Sequence, residues 1–396
     1  MIISDNMRHY FYIFCLVIFS CFQLNAQQQL TEKASISVVT CGPGAELYTA
    51  FGHSAFRVFD PTLGIDKIYN YGTFDFNAPN FYGNFAKGNL TYFLSTADFV
   101  RFLRMYQYEN RWVKLQLLNL SSEEVQAIYE FLEENAKVEN RNYQYDFFYD
   151  NCSTKIEAVI QTVLNDKVHF SNNHITTHKS HRDLINDYTK QFKWGKFGID
   201  LALGAVIDDE AAKNDYKFLP DYIFKAFEKA TIQKGATMEP LVAKEISILE
   251  EKPIEKKTEI LTPLNLILLI SLGIIFITYK NQQQQKRSKL LDVGLFLFTG
   301  IIGVTVLLLW FATTHTATYQ NLNFLWAFAP NLIVAFYLLK TKPPTWICYY
   351  FILLLLLLLI MVVCWLLKIQ VFNYALSPLI VALAIRYVYL IKSLKY

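Results

Sequence analysis

The sequence predicts an α+β extracytoplasmic domain followed by an all-α membrane bundle of about five transmembrane helices. Three observations predict this: an N-terminal export signal, a change in charge density near residue 260, and long apolar runs beyond it. At 396 residues the chain has room for two domains. The averages of 53% hydrophobic and 18% charged residues hide two unlike halves, because charges are frequent over 27–257 and nearly vanish inside the runs after Ile260. The net charge of +3 is not gathered on one basic stretch, so no nucleic acid partner is expected.

The N-terminus has the layout of a secretory signal. Arg8 and His9 precede the apolar run from Tyr10 to Phe19, and Leu24-Asn-Ala26 offers a small-residue cleavage site before Gln27. The run is short for a spanning helix, which leaves a retained anchor as the second reading. Bulky Phe19 disfavours a lipoprotein site at Ser20-Cys21. The expected organisation is a signal peptide over 1–26, a Cys/His domain over 27–232, a juxtamembrane linker over 233–260 and a transmembrane domain over 261–396. The linker is assigned from its Lys, Glu and Pro content.

In the exported half, Ser35 to Thr40 reads as a strand, and Cys41-Gly-Pro-Gly44 is a breaker cluster. His53 to Phe59 and Lys67 to Tyr71 read as hairpin strands around the turn Asp60-Pro-Thr-Leu-Gly64. An aromatic, Gly- and Asn-rich stretch runs to Asn89, and Leu90–Leu94 and Trp112–Leu118 are further strands. Ser121-Ser-Glu-Glu opens a helix, with a hydroxyl to cap it and carboxylates at its positive end. A second helix is expected from Asn151 through Val163, with later ones at 181–188 and 222–230.

Five spans are expected at 261–279, 290–312, 322–339, 346–367 and 373–391. Lys280, Lys286, Arg287 and Lys289 follow the first span; Lys340 and Lys342 follow the third; Lys392 and Lys395 follow the fifth. The loop 313–321 has no Lys or Arg, and the loop after the fourth span has only Lys368. The excess of positive charge marks the cytoplasmic side, so the N-terminal domain is expected outside the cytoplasmic membrane. Arg386 lies near the cytoplasmic end of the last span and reads as a snorkelling anchor.

Two segments carry candidate chemistry. Phe51-Gly-His-Ser-Ala-Phe-Arg-Val58 puts His53 at a strand start, and Tyr145-Asp-Phe-Phe-Tyr-Asp-Asn-Cys152 puts Cys152 at a helix start. A thiol there meets the positive end of the helix dipole, which favours the thiolate, and a neighbouring imidazole can act as base. The plainer readings are a small buried cysteine and a packing histidine. A third reading joins Cys41 and Cys152 in a disulfide of a non-enzymatic envelope scaffold. His53 with His169, His174, His178 and His181 fits no strong zinc spacing, and neither a metal nor a cofactor is expected.

The order of histidine before cysteine resembles the circularly permuted papain-like hydrolases and acyltransferases. More specifically, the chain resembles the Lnb family of lipoprotein N-acyltransferases. The matching stretches are Gly42-Pro-Gly44, the His53 and Cys152 segments, Tyr69-Asn-Tyr-Gly-Thr-Phe-Asp75, Phe197-Gly-Ile-Asp-Leu-Ala-Leu-Gly204, and His315 to Pro330. The resemblance implies a permuted papain-like domain on the periplasmic side of a multi-pass protein of the inner membrane. It implies a membrane phospholipid as acyl donor, a thioester on Cys152, and the α-amine of diacylated lipoproteins as acceptor. His53 would be the base. Asn70, Tyr71 and Asp75 are candidates to orient it, with Asp150 and Asn151 as alternatives beside the nucleophile. Tyr71 and Asp150 are also candidates for substrate contact. Arg57 is a candidate phosphate ligand or a plain salt-bridge partner, and His315, Asn321 and Asn323 are candidates to line a lipid groove. A phospholipase or cysteine amidohydrolase, with water as acceptor, is the alternative.

Overall fold

A computed structural model describes residues 28–89, 91–252 and 260–394. The signal segment lies outside the described residues. The alternating segments of the exported half form strands β1 (Ser35–Cys41), β2 (His53–Asp60), β3 (Ile65–Thr73), β4 (Thr91–Asp98), β5 (Val113–Leu118) and β6 (Asn142–Gln144). They pair antiparallel in one sheet of order β10-β5-β1-β2-β3-β4-β6, in which β10 is Val242–Leu249. Between β3 and β4 the aromatic stretch folds as helix α1 (Phe81–Lys87), and α2 (Phe99–Tyr108) follows β4.

Period-two alternation divides the sheet's side chains between two cores. Val38, Phe56, Val58 and Tyr69 face α3 (Ser122–Ala136), α4 (Cys152–Leu164) and the later helix Pro220–Lys229. Val39, Ala55, Ile68 and Leu115 face Phe99, Phe102 and Tyr106 of α2. In α4, Ile156, Val159 and Ile160 are at most 3% exposed. Burying three such side chains contributes roughly 5–9 kcal/mol, against about 1 kcal/mol for an N-cap. Packing therefore holds α4 on the sheet, and the cap decides where the helix begins.

Of the segment 233–260, expected as a linker, the described residues 233–252 are largely strand. Thr231–Lys234 (β8) and Thr237–Pro240 (β9) join Val168–His169 (β7) in a small sheet, and β10 becomes an edge of the main one. Irregularities between Val242 and Lys244 and between Ser247 and Leu249 disrupt its alternation. Its Lys and Glu residues suit an exposed edge, where charge discourages further pairing. Composition alone therefore resembled a linker.

After α5 (His181–Thr189), α6 (Lys193–Ala202) and α7 (Pro220–Lys229), the membrane half begins. Among the described residues, four helices are long and apolar enough to cross a bilayer: α8 (Pro263–Gln284), α9 (Lys289–Phe311), α11 (Trp346–Leu366) and the last, with α12 at Ser377–Leu394 after a turn at Tyr374–Leu376. The expected span 322–339 is irregular, a 3-10 turn (Leu322–Leu325) followed by a short helix, α10 (Asn331–Leu338). The eight residues of α10 rise about 12 Å, less than half of a hydrocarbon core of about 30 Å. Pro330 precedes α10, and α9 makes room for the irregular backbone. A Cβ on Gly300 would lie 2.4 Å from Leu332 N, and one on Gly303 would lie 2.0 Å from Ala327 O. Non-helical backbone is tolerated at membrane depth where protein covers it.

Arg386 does not snorkel. It is fully buried, and its guanidinium bonds Asp292 Oδ1 at 2.7 Å, Asn281 Oδ1 at 2.8 Å and Thr278 Oγ1 at 3.2 Å. An unpaired carboxylate in α9 would be costly there, so the arginine answers Asp292 and ties α12 to α8 and α9.

Candidate active site

The turn before α4 is built by two side chains. Asp146 Oδ1 accepts from the N–H groups of Phe148 and Tyr149 at 2.8 and 3.0 Å. Asn151 Oδ1 accepts from Ser153 and Thr154 N–H at 2.8 and 3.0 Å, while its Nδ2 donates to Phe147 O and Phe218 O. Asn151 is thus a fully engaged N-cap that sets Cys152 as the first residue of α4. The cap does not take the Cys152 N–H.

His53 opens β2 directly opposite Cys41 of β1. With Ala55 and Ile68, His53 and Asn70 belong to the α2 face of the sheet, and α4 packs on the other. The two sides meet at the end of the sheet through Gly72. Its φ is +85°, and an added Cβ would stand 3.3 Å from Cys152 Cβ and 3.9 Å from His53 Cε1. The ladder between β3 and β4 is irregular from Asn70 to Thr73. A side chain at Gly72 would intrude between thiol and imidazole, and the left-handed backbone would strain any replacement. The need for glycine here had no counterpart among the residues singled out from sequence.

His53 Nε2 hydrogen-bonds Asn70 Oδ1, which assigns the proton to Nε2 and turns Nδ1 toward other partners. His53 and the Cys152 thiol meet at Gly72, close enough for each charge to act on the other. Burial alone would push the thiol up. The His53 charge, the Ser54 backbone N–H and the Ser153 hydroxyl outweigh it, and the Cys152 pKa lies below that of an ordinary thiol. Burial likewise opposes the imidazolium, but the Cys152 charge and the bond to Asn70 raise His53. Both shifts run toward thiolate and imidazolium, the direction a cysteine nucleophile requires.

Cys41 contrasts with it. Burial pushes its thiol up to about 12, and both cysteines are free. The disulfide scaffold is therefore not what this structure contains.

The remaining candidates lie elsewhere. Asp75 is exposed and accepts from Asn77 N–H at 2.8 Å in its own turn. Tyr71 is buried in the core, and its hydroxyl donates to Asn135 Oδ1 at 2.7 Å. Asp150 pairs with Lys155 at 2.7 Å. Arg57 makes a two-pronged bond to Asp66 at 2.6 and 2.9 Å, with its guanidinium 3.9 Å from the Phe99 ring centre. That leaves it committed to a salt bridge and not to a phosphate.

The membrane-domain candidates form a seam. His315 Nε2 bonds Phe85 O at 2.9 Å. Asn321 and Asn323 are fully buried, not exposed in a groove. Asn321 Nδ2 donates to the carbonyls of Leu201 and Ala202 at 2.8 and 3.0 Å, and Asn323 Nδ2 to that of Asp200 at 3.0 Å. Gly204 N–H donates to Ala317 O, and Asn373 Nδ2 to Asp200 Oδ2 at 2.7 Å. Asp200, given above without a role inside the Phe197–Gly204 stretch, completes this seam with Arg182 and Asp208, neither of which had been singled out. No short motif marks Arg182 and Asp208, since the three converge only after folding.

Fold and site together define an α+β domain with a cysteine–histidine pair at the end of its sheet, locked to a multi-span membrane domain. Residues 23–186 match the Lnb N-terminal periplasmic domain, and residues 255–396 match the Lnb transmembrane domain. The chain therefore belongs to the Lnb family, with a periplasmic N-terminal domain and a multi-span C-terminal one. Comparisons with the curated proteins and with the solved structures return no match.

Proposed function

We propose that this chain is a lipoprotein N-acyltransferase with Cys152 as nucleophile, His53 as base and Asn70 as the residue that orients His53. The observation that carries the proposal is the grouping of these three side chains around Gly72 in a chain of the Lnb family. The histidine-first order, with the cysteine helix packed on an antiparallel sheet, also supports a domain of the permuted papain-like kind.

In the first half-reaction the Cys152 thiolate attacks the carbonyl carbon of a phospholipid ester. The Cys152 N–H at the helix start is available to the developing oxyanion. His53 gives its proton to the departing oxygen, so a lysophospholipid leaves and a thioester remains. In the second, the α-amine of an S-diacylglyceryl cysteine attacks the thioester. His53 takes a proton from the amine, the amide forms, and the thiolate returns. Amines attack thioesters far more readily than oxygen esters, which accounts for a cysteine in place of a serine. The membrane domain keeps donor and acceptor beside the site.

Purified full-length protein incubated with phospholipid and a diacylated lipopeptide tests this. The expected product is the N-acyl lipopeptide, detected by mass spectrometry. Fatty-acid release with no acylated lipopeptide would replace the transferase with a phospholipase.

A further inference from the structure

The aromatic stretch between β3 and β4 has no role in the chemistry above, yet it links the membrane domain to the cysteine. Helix α1 is fixed to the loop that follows α9: Thr314 N–H donates to Lys87 O at 2.9 Å, and His315 bonds Phe85 O. That loop begins just past Phe311, which is 73% exposed at the end of α9. On another flank of the domain, Trp194 Nε1 donates to Leu261 O just before α8. Helix α1 therefore stands at the outer end of a spanning helix, where Tyr82 and Phe85 are 77% and 53% exposed. Exposed aromatic rings at that height suit the bilayer interface.

Behind them the rings continue inward. Phe81 lies 5.4 Å from Tyr82 and 6.0 Å from Phe74; Phe74 lies 5.1 Å from Tyr92; Tyr92 stacks on Tyr145 at 4.0 Å. Burial, and then the charge of nearby Cys152, pushes the Tyr92 hydroxyl up to about 12, and the same two causes raise Tyr145. The backbone pairing of Asp146 with Asp150, at 3.0 and 3.2 Å, folds Tyr145 back beside the turn that leads into Cys152, so the inner end of the series is at the nucleophile, and the outer end is at the membrane surface.

We propose that α1 and the rings behind it form the route by which one acyl chain of a membrane phospholipid reaches Cys152. The inference rests on the reading of Cys152 as the residue that takes the acyl group. The continuity of the rings with the membrane domain argues for a bilayer lipid as occupant. The rings offer a stacked apolar surface, and the cation of α1, Lys87, is exposed at its C-terminal end and not among them, so the chain, not the phosphate, is what the rings recognise.

A phospholipid with a diazirine near the end of one acyl chain tests the route. Full-length protein carrying Cys152→Ala is placed in phosphatidylethanolamine nanodiscs, irradiated and digested. Cross-links to peptides spanning 74–92 are expected. Cross-links confined to 263–394 overturn the route. In parallel, Tyr82→Ser/Phe85→Ser should slow acyl-enzyme formation from a long-chain phospholipid about tenfold, while alkylation of Cys152 by iodoacetamide stays unchanged. Equal acylation rates overturn the route as well. Absence of any acyl-enzyme in the unmutated protein, with cross-links still at 74–92, keeps lipid binding at α1 and removes Cys152 as the acyl acceptor.

Discussion

The end of the sheet around Cys152 and the seam beneath the exported domain are both built from buried polar groups, and they differ in how fully those groups are satisfied. At the seam, Arg182 bonds Asp208 at 2.7 and 3.0 Å, Gly204 O at 2.9 Å and Leu203 O at 3.2 Å, with Asp200 at 3.4 Å. Asp200 also receives Lys196 and Asn373, each at 2.7 Å. Two cations there meet two carboxylates, and their hydrogen-bonding capacity is largely used. At the sheet end, the thiol is half-buried, the helix-start N–H is not taken by the cap, and the imidazole has one firm partner in Asn70. A saturated network fixes position; an unsaturated one retains the capacity to bind and react. The same contrast separates Cys41 from Cys152, two thiols that both neighbour His53.

The comparison can be broken most decisively at the sheet end. Cys152→Ala and His53→Ala should each lower N-acylation at least about a thousandfold, with membrane insertion intact. Mass spectrometry of lipoprotein N-termini checks this, and unchanged triacylation would dismiss both residues. At the seam, Asp200→Ala leaves Arg182, Lys196 and Asn373 facing an empty carboxylate position. Breaking such a buried pair costs about 3–5 kcal/mol. A lower melting midpoint and new proteolysis near Gly204 are expected, while iodoacetamide still alkylates Cys152. If alkylation fell as it does in His53→Ala, the two networks would not be separable in function.

Smaller effects sharpen the contrast. Asn70→Ala should slow acyl-enzyme formation about a hundredfold, because His53 loses its orienting partner but keeps its ring. The pH dependence of Cys152 alkylation follows from the directions of the two shifts. With the thiol lowered and His53 raised, the reactive ion pair persists below the ordinary thiol pKa. Alkylation is lost only as acid protonates the thiolate. In His53→Gln, burial remains without its counter-charge, so the midpoint moves above the ordinary value, and reactivity at neutral pH falls roughly tenfold per unit of displacement. An unmoved midpoint would remove the ion pair. Arg57→Lys should change acylation less than about twofold, since Arg57 is committed to Asp66 and Phe99; a large loss would return it to the substrate.

The sequence carried the parts of this arrangement that are local. The thiol at a helix start, the histidine at a strand start and the hairpin around Gly64 are written in consecutive residues, and the structure has all three. Choosing Asn70 over Tyr71 and Asp75 needs strand register, because one step along β3 moves a side chain from the histidine's face to the core. Gly72 matters for what a side chain would collide with, which is a property of two elements distant in sequence. Residues 322–339 are apolar enough to read as a span, but Pro330 and the bonds of Asn321, Asn323 and Asn331 break them into a buried, irregular segment. Asn321 and Asn323 stand out as polar residues near a membrane, a signature shared by a lipid groove and a hydrogen-bonded seam until their partners are known.

The central claim is that Cys152 carries the acyl group. Full-length protein incubated with a phospholipid of known chain length, without acceptor, should gain the mass of one acyl group, and peptide mapping should put it on Cys152. The adduct should disappear on addition of a diacylated lipopeptide and never form in Cys152→Ala. Acylated lipopeptide made with no adduct on Cys152, or made equally by Cys152→Ala, would contradict the account.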